Sequence, residues 1–161
     1  MSDLKGCRAV VFDAYGTLFN VGAPARILLG ERGDALAALR ALRAAERRTA
    51  ILSNGSPEML VAAVGHAGLE STLEMVLSVE EAGVFKPHPK VYALASQHLE
   101  LPPEQICFVS ANGWDAAGAA AFGFAVVWLD RRGEREDRLP GGPAARVASL
   151  SELPALLCAT S

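Results

Sequence analysis

Five short apolar runs, at 9–12, 49–53, 75–78, 106–110 and 125–129, punctuate the chain. They are rich in Val, Ile, Leu and Phe and show little polar alternation, as strands buried on both faces do. Between them the apolar positions change period. Leu36, Leu39 and Leu42 recur at near-helical spacing, so 34–48 reads as a helix. Asp34 is its expected N-cap, and Arg43, Arg47 and Arg48 fall in its last turns, where cations suit the helix dipole. A second helix starts at Ser56-Pro57, runs to about Ala67 and stops at Gly68. Residues 91–99, 115–122 and 151–157 complete the helices. Phe85-Lys86-Pro87-His88-Pro89 is a rigid loop, because its prolines fix two φ angles. Residues 131–145 are polar, carry Gly and Pro after Leu139, and read as a loop.

Strands alternating with helices predict an α/β fold. The expected form is a doubly wound parallel sheet of five strands with helices on both faces, one domain over 1–161. In such a sheet the carboxyl ends of the strands form the ligand crevice. The polar residues gather there. Asp13 and Thr17 follow the first strand, Ser53 and Asn54 the second, and Ser110, Asn112 and Asp115 the fourth, with Lys86 in the Pro-flanked loop. A carboxylate directly after a buried strand calls for a reason, since desolvating it is costly. Each residue also has an ordinary structural explanation. Asp13, Thr17, Ser110 and Asn112 can form turns, Asp115 can cap a helix, and Lys86 can lie on the surface. Tyr92 can be a core aromatic. Four polar stretches converging on one crevice, three strand ends and the Lys86 loop, favour a site.

Composition narrows the partners. The 161 residues are 51% hydrophobic and 20% charged, with a net charge of −3. That balance suits a globular domain and argues against a nucleic-acid binder. No apolar run reaches membrane-spanning length, and the first residues lack the apolar core of a signal peptide. Cys7, Cys107 and Cys158 are far apart, odd in number and without metal spacing, as in a reduced, cytoplasmic protein. His66, His88 and His98 are scattered and read as structural or surface residues, and Trp114 and Trp128 as packing residues. No cofactor and no metal are expected.

Four stretches carry a resemblance: VFDAYGTLF at 11–19, AILSNGSP at 50–57, VFKPHPKVY at 84–92 and FVSANGWDAAGAAAFGF at 108–124. In this order they resemble the haloacid dehalogenase superfamily and, within it, the (S)-2-haloacid dehalogenases. The resemblance implies hydrolysis of small 2-haloacids, with water as co-substrate. Asp13 would attack the halogen-bearing carbon, and water would release the ester as a 2-hydroxy acid of inverted configuration. Lys86 would hold Asp13 ionised and oriented, and Asp115 would hold Lys86 and help activate the water. Thr17, Ser110 and Asn112 would orient Asp13 and the water. Ser53 would bind the substrate carboxylate with nearby backbone N–H groups, Asn54 would face the halide, and Tyr15 and Tyr92 would line the substrate side.

Tyr15 stands where phosphatases of the superfamily carry a second Asp. Ser110 stands where they carry an acidic residue for Mg²⁺, which wants charged oxygen ligands. Phosphoryl transfer is therefore the minority reading. The family inserts a helical cap between the first two strands. Here 20–40 reads as a remnant of that insertion point, with 30–39 resembling the start of the cap and 39–48 the helix after it. The family's halide-binding arginine belongs to the lost part. Arg40 lies close to it in sequence and stays unassigned. An open site, weak dehalogenation and self-association, through the uncovered face or through 25–29, are the expectations. An impaired core serving as a binding module is the alternative of a different class.

Overall fold

Ala9, Val10, Val11 and Phe12 are all fully buried, so the strand they form, β1 (Ala9–Phe12), lies inside the sheet with both faces covered. The computed structural model describes residues 3–19, 33–133 and 141–158. Within them β1 is followed by α1 (Gly33–Ala44), β2 (Arg48–Ser53), α2 (Pro57–Ala67), β3 (Met75–Ser78) and α3 (Pro89–Leu99). Then come β4 (Ile106–Ser110), α4 (Gly113–Phe122), β5 (Ala125–Leu129), β6 (Ala145–Val147) and α5 (Leu153–Cys158). The sheet runs β3-β2-β1-β4-β5-β6, and every pair is parallel. Val11 lies opposite Ala50 of β2 on one side and Phe108 of β4 on the other.

The two faces fill separately. Leu39 and Leu42 of α1, Leu60 and Val64 of α2, and Leu153 and Leu157 of α5 cluster with Val10, Phe12, Ile51 and Val109. Val91, Leu94 and Leu99 of α3 and Ala116 and Ala119 of α4 cluster with Val11, Leu52, Phe108 and Val126. Each fully buried Val, Leu or Phe side chain contributes about 1.5–3 kcal/mol relative to exposure. Chain order reverses at β1, with β2 and β3 laid to one side and β4 to β6 to the other. The crevice outside the carboxyl ends of β1 and β4 is therefore the switch point where ligands bind.

Several details correct the expectations. Among the described residues the sheet has six strands, not five, because β6 starts at the last residue of the stretch read as loop and runs two residues past it. At three residues, with only Val147 buried, it is too short to show a period. It is fixed by pairing with β5 and by Arg146, which bonds Asp130 and lies 4.6 Å over the Trp128 ring. Helix α1 ends at Ala44, before Arg47 and Arg48. Arg47 donates to Leu157 O, while Arg48 opens β2 and donates to the Glu74 carboxylate. Neither cation serves the helix dipole. Asp34 lies inside the first turn and accepts from Leu150 N and Ser149 Oγ, so it ties α1 to the approach to α5 instead of capping its own helix. Trp128 is buried as expected, but Trp114 is 43% exposed. Ser56 does cap α2 by accepting from Met59 N, and Gly68 ends it at φ 64°, a left-handed backbone that suits glycine.

Residues 20–32, which hold most of the expected cap remnant and the 25–29 segment, lie outside the described residues. Among the described residues no helix is long and apolar enough to cross a membrane.

Candidate active site

Asp13 leaves the end of β1 with its N–H still in the ladder, donating to Val109 O at 2.9 Å. The residue is 7% exposed, and its carboxylate takes three hydrogen bonds from three different segments. Lys86 Nζ donates to Oδ1 at 3.0 Å, and Thr17 Oγ1 and Asn112 Nδ2 donate to Oδ2 at 3.1 Å each. Thr17 Oγ1 also accepts from Ala111 N at 2.9 Å, so one hydroxyl joins the loops after β1 and β4. The Thr17 and Asn112 side chains thus bond groups beyond their own local turns, tying the loop after β1 to the loop after β4.

Lys86 is the hinge of the cluster. Its Nζ donates to Asp115 Oδ2 at 2.9 Å as well as to Asp13, and lies 5.0 Å from the centre of the Phe108 ring. It is a buried lysine, not a surface one. Asp115 sits in the first turn of α4 and is fully buried. It does not act as the helix cap, a position held by Asn112. Ser110 Oγ donates to Asp115 Oδ2 at 3.0 Å, and Tyr92 OH donates to Oδ1 at 2.7 Å. Burial, first, and then the neighbouring Asp13 charge raise the Asp115 pKa above the ordinary 3.8, against the opposing pull of Lys86. Burial and the same carboxylate push the Tyr92 hydroxyl far up, so it stays a proton donor.

The residues expected on the substrate side divide. Ser53 is buried, and its Oγ accepts from Gly55 N at 3.1 Å, shaping the turn into α2. Asn54 is exposed, and its Oδ1 accepts from Lys86 N at 3.0 Å, which joins the β2 loop to the lysine loop. Tyr15 is half-buried and packs on Gly55: a Cβ there would stand 2.8 Å from its ring. Tyr92 is fully buried behind Asp115. It reaches Asp13 only through Asp115 and Lys86.

Other residues that shape the cluster escaped the sequence reading. Ser78 at the end of β3 donates to Gly55 O at 2.7 Å. Gly118 of α4 leaves room for Pro87 and the Tyr92 hydroxyl, which a Cβ would meet at 2.6 and 2.7 Å. Arg131, beyond β5, donates to Gly16 O and Thr17 O. Ser78 had a signal, as a fourth polar strand end. Gly118 and Arg131 had none that distinguishes them from other helical glycines and loop arginines. Among the described residues no three His, Cys, Asp or Glu side chains gather as a metal site. Ser110 sets a neutral hydroxyl beside Asp115, and position 15 holds a tyrosine and no carboxylate, a donor set poor in the charge that magnesium favours.

A switch-point carboxylate braced by a buried lysine and a second carboxylate, on a parallel Rossmann-like sheet, marks this chain as an α/β core of hydrolase type. It belongs to the haloacid dehalogenase-like hydrolases, whose family model matches residues 25–123. The (S)-2-haloacid dehalogenase 1 of Pseudomonas sp. (strain CBS-3) is 39% identical over 150 residues, which cover 90% of this chain and 66% of that protein. The (S)-2-haloacid dehalogenase 4A of Burkholderia cepacia is 40% identical over 157 residues, covering 98% and 63%. The chain thus spans less than two thirds of the length of these curated relatives. Among solved structures, an L-2-haloacid dehalogenase from Xanthobacter autotrophicus with chloropropionic acid covalently bound matches at TM-score 0.83 and 28% identity. The match covers 93% of this chain and 98% of that one.

Proposed function

We propose that this chain hydrolyses the carbon–halogen bond of short (S)-2-haloacids to give (R)-2-hydroxy acids, through an ester on Asp13 and without a metal. The observation that carries the reading is Lys86 Nζ, held between Asp13 Oδ1 and Asp115 Oδ2 at 3.0 and 2.9 Å. A carboxylate so braced has one rotamer and one exposed direction of attack. Oδ2 is engaged by two donors, Thr17 and Asn112, and Oδ1, among the described residues, by Lys86 alone, so Oδ1 keeps the open lone pair for attack. Oδ1 displaces halide from C2, the halide leaves with the bonding pair, and C2 inverts. Water then adds to the Asp13 ester carbonyl. Lys86 takes the proton of that water as it passes its own to Asp115, whose raised proton affinity favours the transfer. The hydroxy acid departs with the original Oδ1, which takes the second proton of that water; Asp13 keeps the oxygen of water as its carboxylate, and Asp115 gives the proton it received to solvent.

Ser53, Asn54 and Tyr15 border the substrate side, with Ser53 and the N–H groups at the start of α2 suited to a carboxylate. Tyr92 and Ser110 set the Asp115 carboxylate, and through it Lys86. The names of the relatives support the substrate class. Three free cysteines are in keeping with a reducing compartment such as the cytoplasm. Exposed Phe85 and Trp114 give a second copy apolar surface to cover.

The test is halide release from (S)-2-chloropropionate by purified protein with EDTA present, against the (R) isomer and Asp13→Asn as controls. Release from the (S) isomer alone, lost in Asp13→Asn, is the expected result. Magnesium-dependent hydrolysis of p-nitrophenyl phosphate, lost in the same variant, would replace this reading with the phosphatase one.

A further inference from the structure

Strand β5 and the residues just beyond it hydrogen-bond both loops that hold Asp13 Oδ2. From one side, Trp128 Nε1 donates to Ala111 O at 3.4 Å. From the other, Arg131 donates through Nη1 to Gly16 O and through Nη2 to Thr17 O, both at 3.0 Å. These are the two loops joined by Thr17 Oγ1, which accepts from Ala111 N and donates to Asp13 Oδ2. The strand end that launches Arg131 is itself held. Asp130 is buried, its N–H donates to Val147 O, and its carboxylate accepts from Arg146 Nε at 2.9 Å. The turn it holds passes through Gly16 at φ 84°, a left-handed backbone that glycine adopts without steric cost.

We infer that Arg131 is a positioning residue for the nucleophile. Its planar guanidinium fork fixes two successive carbonyls, and so the angle at which Thr17 presents its hydroxyl to Asp13. That hydroxyl keeps Oδ2 turned inward and Oδ1 turned toward Lys86 and the reacting carbon. A lysine, with a single compact charge, cannot hold both carbonyls in that plane. The inference rests on Asp13 as the attacking group. Arg131 is exposed, so shortening it opens no core cavity.

The experiment compares wild type, Arg131→Lys and Arg131→Ala in two ways. Amide hydrogen exchange reads the clamp without catalysis. In Arg131→Ala, the Thr17 and Ala111 amides are expected to exchange faster while Ile51 and Leu52 in β2 keep their protection, with Arg131→Lys in between. Steady-state halide release reads the consequence. A misplaced nucleophile lowers kcat by about 10- to 100-fold, with KM within about twofold, and sub-denaturing guanidinium restores part of the loss to Arg131→Ala. Unchanged exchange at Thr17 and Ala111, or a kcat equal to wild type, overturns the inference. Wild-type protein that releases no halide counts against the dehalogenase reading alone, and the exchange data then decide whether the clamp exists.

Discussion

The Lys86 side chain is 1% exposed and stands between carboxylate side chains that are 10% and 0% exposed. An ammonium taken from water is costly, and its two carboxylate partners, with the Phe108 ring, offset that cost. Removing it leaves two like charges facing each other out of solvent. Lys86→Met is therefore expected to lose about 3–5 kcal/mol at neutral pH, measured by urea denaturation, together with all activity. A loss under about 1 kcal/mol would mean that the carboxylates find other compensation. Asp115 makes a second test of the same electrostatics. Its pKa is raised by burial, so the folded protein binds this proton more tightly than the unfolded chain does. Its contribution to stability is full below the ordinary 3.8 and is lost as pH rises through its raised folded value. The stability of wild type relative to Asp115→Asn is expected to be highest in acid and to fall as pH climbs past that range. An advantage that grows with pH would show that Lys86 dominates over burial.

At the scale of elements, α4 does more than cover the sheet. Its first turn carries Asp115, and one turn later Gly118 lets Pro87 and Tyr92 come close enough to hold Lys86 and Asp115. Alanine normally favours a helix interior by about 1 kcal/mol over glycine. Here its Cβ would stand 2.6 Å from Pro87 Cβ and 2.7 Å from the Tyr92 hydroxyl. Gly118→Ala is expected to lower both urea stability and turnover, and a variant as active as wild type and about 1 kcal/mol more stable would contradict the close packing. Asp13 and Ser110 were legible in the sequence because a polar residue at the end of an apolar run is out of pattern, and Asp115 because the stretch after the fourth run brings a further carboxylate to the same crevice. Lys86 was legible because two prolines fix its loop. Gly118 was not, since a glycine among helical alanines looks like any other small residue until its neighbours are known. Strand β6 and Arg131 were hidden for a related reason. Both take their meaning from β5 and from the Gly16–Thr17 turn, far away in sequence. Asp34 misled because its type and place fit a cap, while tertiary structure offered its carboxylate a different N–H.

Over the whole molecule, the order β3-β2-β1-β4-β5-β6 gathers the loops of β1, β2, β4 and β5 at one end, where chemistry can be shared among segments distant in the chain. Under the proposed function, the 20–32 connection between Phe19 and Gly33 stands where the resemblance implies a helical cap. No arginine is assigned to the departing halide. Losing one preorganised stabiliser of developing charge costs about 10²–10³ in rate, so halide release is expected to be slower by at least that factor than in capped relatives assayed alongside. Equal rates would mean that another group serves the halide.

The most direct measurement is a single turnover of (S)-2-chloropropionate in ¹⁸O-water with enzyme in excess, followed by mass spectrometry of the Asp13 peptide and of the product. With Asp13 as nucleophile, the label enters the Asp13 carboxylate and the first 2-hydroxypropionate released is unlabelled. Label in that first product, with Asp13 unlabelled, would mean that water attacks carbon directly, and Asp13 would not be the nucleophile.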